Sequence, residues 1–278
     1  MSFTLIETPE DLKVLNRELL EREYLGLDTE FRRTTKDNMK LAMLQINDGE
    51  EIYLIDSIKI KNPKDHCDFL FSDSVIKIFH SCKEDLEAIY SWTGNVMVNL
   101  FDTQLANAFL DGSYSIGYQR LVQERLGITL DKRETRSNWI RRPLSDSQLS
   151  YAASDVEYLI YIFKEQHEAL THSHKLDWQK EDIYFLISST FNPLACAEKI
   201  VSTQTKAEEL ELLNKFNVII RNIAIKEEIN PTLFFSKKNQ KDFIRLALSR
   251  GSKEAFRSIT NWRKLLIEDP LNQLLNKY

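Results

Sequence analysis

Three cysteines in 278 residues, Cys67, Cys82 and Cys196, are too few and too scattered to build a disulfide framework or a zinc site. Cys82 stands next to an acidic stretch, but its small thiol there reads as a buried packing group. No segment approaches the run of roughly 20 apolar residues that a bilayer requires. Met1 to Asp11 also lacks the basic flank and apolar stretch of a secretory signal. The five histidines do not gather with cysteine at ligand spacing. His167, His172 and His174 fall near a helix end amid polar residues, where a solvated terminus is expected. These absences argue against a secreted disulfide scaffold, a zinc module and an integral membrane protein, and cytoplasm is the expected location.

What the chain does have is length for one large and one small domain with separate cores, and an uneven charge. Residues 199 to 278 carry 15 Lys and Arg against 9 Asp and Glu, a net of +6, which leaves −11 of the overall −5 on residues 1 to 198. The C-terminal portion is therefore the better partner for a phosphate backbone. A solvated basic face is the alternative.

Thr8 reads as an N-cap with Pro9 at the first helical position, opening a helix over Leu12 to Glu23. Strands are predicted at Tyr24 to Phe31, Leu41 to Asn47 and Glu51 to Asp56, the last two joined across Asp48-Gly49. A short helix near Asp65 to Phe71, a strand at Val75 to Phe79, a helix at Lys83 to Trp92, a strand at Met97 to Phe101 and a helix at Thr103 to Leu110 follow. Ser145 and Gln148 form a capping-box pattern for a helix running from Asp146 past Glu165. Hairpin strands followed by alternating strands and helices predict an α/β fold, a mixed sheet flanked by helices. Residues 176 to 278 contain no strand-like run.

Two carboxylates stand out in Leu27-Asp28-Thr29-Glu30-Phe31, because alternation along a strand sends Asp28 and Glu30 to one face and Thr29 and Phe31 to the other. A bare Asp-x-Glu is usually the polar face of an edge strand. Here two more acidic elements follow, Glu84-Asp85 after a strand and Asp155 within a helix, with Tyr151 one turn before Asp155 on the same helix face. Several carboxylates gathered on separate elements suggest a divalent-metal site, since like charges converge only where a cation neutralises them.

Asp28 and Glu30, then Asp85, then Tyr151 with Asp155, resemble in order and spacing the three motifs of the DEDD superfamily of 3′-5′ exonucleases, in its tyrosine-containing subgroup. Leu27 to Phe31, His80 to Asp85, Phe101 to Gln104, Gly127 to Lys132, Trp139 to Leu144 and Tyr151 to Leu159 further resemble the blocks of the ribonuclease D family, over roughly residues 3 to 165. Leu212 to Tyr278, with Ile229-Asn230-Pro231 and Phe235-Ser236-Lys237-Lys238, is similar to that family's HRDC-like helical domain. The family's longer members carry two such domains, and this chain has room for one.

The resemblance implies a ribonuclease H-like mixed sheet followed by an all-α domain. It divides the chain into an exonuclease domain at 1–170, a helical connector at 171–205 and an HRDC-like nucleic-acid-binding domain at 206–278. It also implies a hydrolase that releases 5′-mononucleotides from RNA 3′ ends, with tRNA precursors as expected partners and a monomer as expected state. A DNA repair or proofreading exonuclease would use the same site, and a catalytically silent nucleic-acid-binding module would keep the same fold. Asp28, Glu30 and Asp155 would bind the first of two magnesium or manganese ions, with Asp28 bridging and Asp85 helping to hold the second. Tyr151 would orient the attacking water. Phe31, Gln45 and His80 are candidate contacts to the terminal nucleotide. Between Gly127 and Pro143, a basic loop holds Lys132, Arg133, Arg136, Arg141 and Arg142 around Trp139. It offers either phosphate pairing and base stacking or a tether anchored by a buried Trp139.

Overall fold

The computed structural model describes residues 2–35, 38–64, 66–130, 134, 137–192 and 206–275. It divides into two compact units, Met1–Ala106 with Ile116–Ala169, and Asn107–Ser115 with Leu170–Tyr278.

The first unit is built on one six-stranded sheet. Its strands are β1 (Thr4–Ile6), β2 (Tyr24–Thr35), β3 (Asn38–Asn47), β4 (Ile52–Ile55), β5 (Ile76–Phe79) and β6 (Leu100–Asp102), in the spatial order β1-β4-β3-β2-β5-β6. β2, β3 and β4 form an antiparallel meander, while β1 joins β4, and β5 and β6 extend from β2, in parallel. This is the expected mixed sheet. β1 was not foreseen, because three residues are too short to display a period.

Leu41 to Asn47 of β3 is buried at every position, as expected of a strand covered on both faces. Each fully buried Leu or Ile there contributes roughly 1.5–3 kcal/mol. The β3–β4 turn forms at Asp48 and Gly49. Asp48 Oδ1 accepts from the N–H groups of Glu50 (2.9 Å) and Glu51 (2.8 Å), and Gly49 takes the positive φ of 93° that a side chain would resist. β2 and β3 run longer than predicted and pair out to Thr35 and Asn38.

Helices α1 (Pro9–Leu20), α2 (Lys83–Thr93), α4 (Tyr118–Leu126), α5 (Asp146–Glu157) and most of α3 (Thr103–Phe109) and α6 (Leu159–His172) belong to this unit. Thr8 caps α1 by accepting from the Asp11 N–H at 3.1 Å. Both halves of the Ser145–Gln148 capping box are present at the start of α5. The predicted long helix from Asp146 is interrupted at Tyr158, whose backbone N–H leaves the ladder to donate to Tyr118 Oη at 3.0 Å. The predicted helix near residues 65 to 71 is a single 3₁₀ turn at Asp68–Leu70.

In the second unit every described element from residue 176 onward is a helix: α7 (Leu176–Phe191), α8 (Lys206–Lys226), α9 (Pro231–Phe234), α10 (Lys237–Arg250), α11 (Ser252–Phe256) and α12 (Asn261–Leu275). Their core holds Trp262, which stacks on Trp178 at 5.0 Å and lies 5.3 Å from Phe109. The Asn107–Ser115 segment is fastened to this unit by Asn230. Its N–H donates to Ala108 O (2.9 Å) and its Nδ2 to Gly112 O (2.9 Å).

Candidate active site

Strand alternation and helix periodicity bring three carboxylates together. Asp28 and Glu30 leave β2 on the face covered by α5, and Asp155 projects from α5 toward them. One oxygen from each lies within 4.8 Å of the others. All three are half-buried, and Asp28 and Asp155 open to a pocket of about 210 Å³ that they line with His80, Tyr118, Gln119, Tyr151 and Leu159.

Concentrating carboxylates in a poorly hydrated site disfavours their charged forms. Burial, then repulsion from Asp85, Asp155 and Glu30, pushes Asp28 well above the usual carboxylate range. Burial, then repulsion from Asp155 and Asp85, raises Glu30 to about 9. Burial raises Asp155 to about 7, opposed by a hydrogen bond from Tyr151 one helical turn away. Hard anionic oxygens this close, strained by mutual repulsion, suit a hard divalent cation such as magnesium or manganese, whose charge would reverse every one of these shifts.

Asp85, at the start of α2, is not one of the three clustered oxygens but lies close enough to Asp28 and Glu30 to raise both. Thr29, pointing opposite to Asp28 and Glu30, donates its hydroxyl to Asp85 Oδ1 at 2.5 Å. Burial still lifts Asp85 to about 7, with the Thr29 bond opposing that rise. The turn that delivers Asp85 is held by Asp102, a residue the sequence reading matched only as part of a block. Its buried carboxylate accepts from the N–H groups of Ser81 (3.0 Å), Cys82 (2.8 Å), Gln104 (2.8 Å) and Leu105 (3.1 Å). It thus ties the entry of α2 to the start of α3. Ser81 adopts a φ of 67°, fixed by this arrangement.

The remaining candidates divide. His80 reaches the pocket, but both ring nitrogens are engaged by protein, Nδ1 with Thr103 Oγ1 (2.9 Å) and Nε2 with Ile116 O (2.9 Å). Only its ring lines the cavity, and burial holds its pKa below the ordinary value. Gln45 is 0% exposed, which removes it from direct reach of a nucleotide. Phe31 is half-buried just past a register slip between Glu30 and Phe31, so the expected alternation ends at Glu30.

Trp139 is 4% exposed and lies 6.1 Å from the Tyr151 ring, which matches the buried anchor rather than the stacking platform. Arg142 is likewise consumed by the fold. Its Nε and Nη2 donate to Asp56 at 2.6 and 2.7 Å, and Nη1 to Trp139 O at 2.7 Å. Nη2 also reaches Ala42 O at 2.8 Å, at the residue of β3 that the slip leaves without a partner on β2. Lys132, Arg133 and Arg136 lie outside the described residues, as does Cys196.

Tyr118 and Gln119 were not anticipated. They open α4, an element with no cap signal in its sequence, since Gly117 supplies no side chain. Tyr118 both lines the pocket and accepts the Tyr158 N–H, so it couples the cavity wall to the break that ends α5.

Residues 3–170 match the model of the 3′-5′ exonuclease family. The chain belongs to that family. It is 40% identical to ribonuclease D of Pseudomonas paraeruginosa over 166 residues, 60% of this chain and 44% of the relative. The chain thus matches less than half the length of that protein. The crystal structure of Escherichia coli RNase D, an exoribonuclease involved in structured RNA processing, is similar with a TM-score of 0.67 and 26% identity, over 100% of this chain and 75% of that one. Brucella melitensis NrnC with bound Mg²⁺ shares the fold, with a TM-score of 0.60 and 22% identity over 74% of this chain and 100% of that one. The ribonuclease H-like exonuclease fold, followed by helices, is therefore the architecture of the family. Among the described residues, no helix is long and apolar enough to cross a membrane.

Proposed function

We propose that this chain is a metal-dependent 3′-5′ exoribonuclease that removes 5′-mononucleotides from RNA 3′ ends, with tRNA precursors among its substrates. The observation that carries this reading is the convergence of Asp28, Glu30 and Asp155 within 4.8 Å, with Tyr151 hydrogen-bonded to Asp155 and lining the same pocket as Asp28 and Asp155. The similarity to ribonucleases D supports the choice of RNA.

Asp28, Glu30 and Asp155 would hold the first of two magnesium or manganese ions, and Asp28 and Asp85 the second. Bound there, the ions supply positive charge that offsets the charge developing on the attacking and leaving oxygens of an in-line displacement. Tyr151 hydrogen-bonds Asp155 and stands at the pocket wall, so its hydroxyl is placed to orient the water that attacks the terminal phosphodiester. Water adds to phosphorus, the 3′ oxygen of the penultimate nucleotide leaves and takes up a proton, and a 5′-mononucleotide departs. His80 and Tyr118 shape the cavity around that nucleotide, and the buried Trp139 ring packs 6.1 Å from that of Tyr151.

The basic second unit is assigned to RNA capture. In this reading residues 1–170 cut, 171–205 connect and 206–278 form an HRDC-like module. Its first-turn lysines Lys237 and Lys238 follow the Ser236 cap of α10, and both are exposed to solvent.

The test is product analysis with 5′-labelled and 3′-labelled single-stranded RNA, alongside DNA of the same sequence. A ladder shortening by single nucleotides from the 3′ end and release of 5′-mononucleotides from RNA are expected. Internal cleavage, or equal turnover of DNA, contradicts the proposal.

A further inference from the structure

Gln45 is the most anomalous polar group beside the site. It sits in β3 directly across from Asp28, and side chains of opposed residues in an antiparallel pair emerge on the same sheet face. It is 0% exposed, and neither Nε2 nor Oε1 has a hydrogen-bond partner. Its other cross-strand neighbour is Leu54 of β4, and Met43, two residues earlier on the same face, is also fully buried. A buried carboxamide with both ends unpaired destabilises a fold, and a Leu or Met would fill the same space without that cost. Across β2 on that face stand the Asp28 carboxylate, directly opposite, and the Glu30 carboxylate on the diagonal.

We infer that Gln45 is a positioning residue for Asp28. When a cation draws the Asp28 carboxylate into its binding orientation, the Gln45 Nε2–H is placed to donate to it and hold it there. The inference rests on the reading of Asp28, Glu30 and Asp155 as a divalent-cation site, and it adds a residue that touches neither metal nor substrate.

Calorimetric titration of Mn²⁺ into the full chain without RNA tests this, comparing wild type, Gln45→Met, Gln45→Leu and Asp155→Asn, with thermal melts of each in chelator. Wild type should bind Mn²⁺ and Asp155→Asn should not. Gln45→Met and Gln45→Leu should bind at least about 10-fold more weakly, the usual scale for losing a group that orients a metal ligand. Their melting temperatures in chelator should equal or exceed that of wild type. Unchanged Mn²⁺ affinity in either folded variant overturns the role of Gln45 while leaving the metal site intact. Failure of both variants to fold, or a fall in chelator stability with affinity preserved, identifies Gln45 as a structural group and overturns it too. Absence of Mn²⁺ binding by wild type overturns the metal-site reading, and the inference with it.

Discussion

Thr29, the residue between Asp28 and Glu30, donates its hydroxyl to Asp85 at 2.5 Å. The sequence points Thr29 away from the acidic pair, and the structure gives that hydroxyl a purpose: it fastens a further carboxylate near the converging Asp28 and Glu30. Thr29→Val keeps the shape and removes the donor. Because hydrogen bonds to charged groups contribute about 1.5–3 kcal/mol, the variant should lose stability of that order at pH 8.5, where Asp85 is mostly ionised. It should lose less at pH 5.5, where Asp85, with its pKa raised to about 7, is mostly protonated. Urea unfolding in chelator at the two pH values measures this, and equal losses would show that the bond does not depend on the charge.

The raised carboxylates also fix the pH dependence of the metal-free protein. Asp85 and Asp155 move from 3.8 to about 7, and Glu30 from 4.5 to about 9. The folded state therefore holds protons that the unfolded chain releases. The stability these groups contribute is full below about pH 4 and is lost progressively as pH rises through 7 and toward 9. Thermal melts in chelator should fall across that window. Saturating magnesium should flatten the decline and release protons on binding at pH 7. A chelator profile that is flat or rises over pH 5 to 9 contradicts the shifts.

Tyr151→Phe should reduce turnover by about 10²-fold, the scale expected when a reacting group loses its alignment. Metal and RNA affinity should stay nearly unchanged, because Tyr151 supplies a hydroxyl rather than a ligand charge. Single-turnover kinetics beside Mn²⁺ and RNA titrations separate these effects. An equal fall in affinity would make Tyr151 a binding residue.

Arg142→Ala distinguishes an anchor from a phosphate contact. The Asp56 side chain is 2% exposed, and removing its guanidinium partner leaves a buried charge unpaired, at a cost of about 3–5 kcal/mol. Chemical denaturation should register that loss. Unaltered stability with weakened RNA binding would return Arg142 to the substrate path.

The parts of the fold legible in the sequence are those decided locally. Thr8, Ser145 with Gln148, and Asp48-Gly49 act through neighbours within three residues, and each element they start or join is present. The parts that were not legible depend on distant partners. β1 exists because Thr4, Leu5 and Ile6 pair with Tyr53, Leu54 and Ile55. The break at Tyr158 has no Pro or Gly to announce it, and the N–H at the break donates to Tyr118, 40 residues away. Within the site, strand alternation put Asp28 and Glu30 on one face and four-residue spacing put Tyr151 with Asp155, while the approach of Asp155 to the pair was implied only by the family resemblance. The commitments of His80 to Ile116, of Arg142 to Asp56 and of Trp139 to Tyr151 required the folded chain.

Whether the Asp28, Glu30 and Asp155 cluster is a catalytic metal centre is decided by RNA hydrolysis with divalent ions removed and restored. Excess chelator should abolish mononucleotide release, magnesium or manganese should restore it, and Asp155→Asn should stay inactive under both conditions. Release that continues undiminished in chelator, or that survives in Asp155→Asn, contradicts the metal-centred reading of this site.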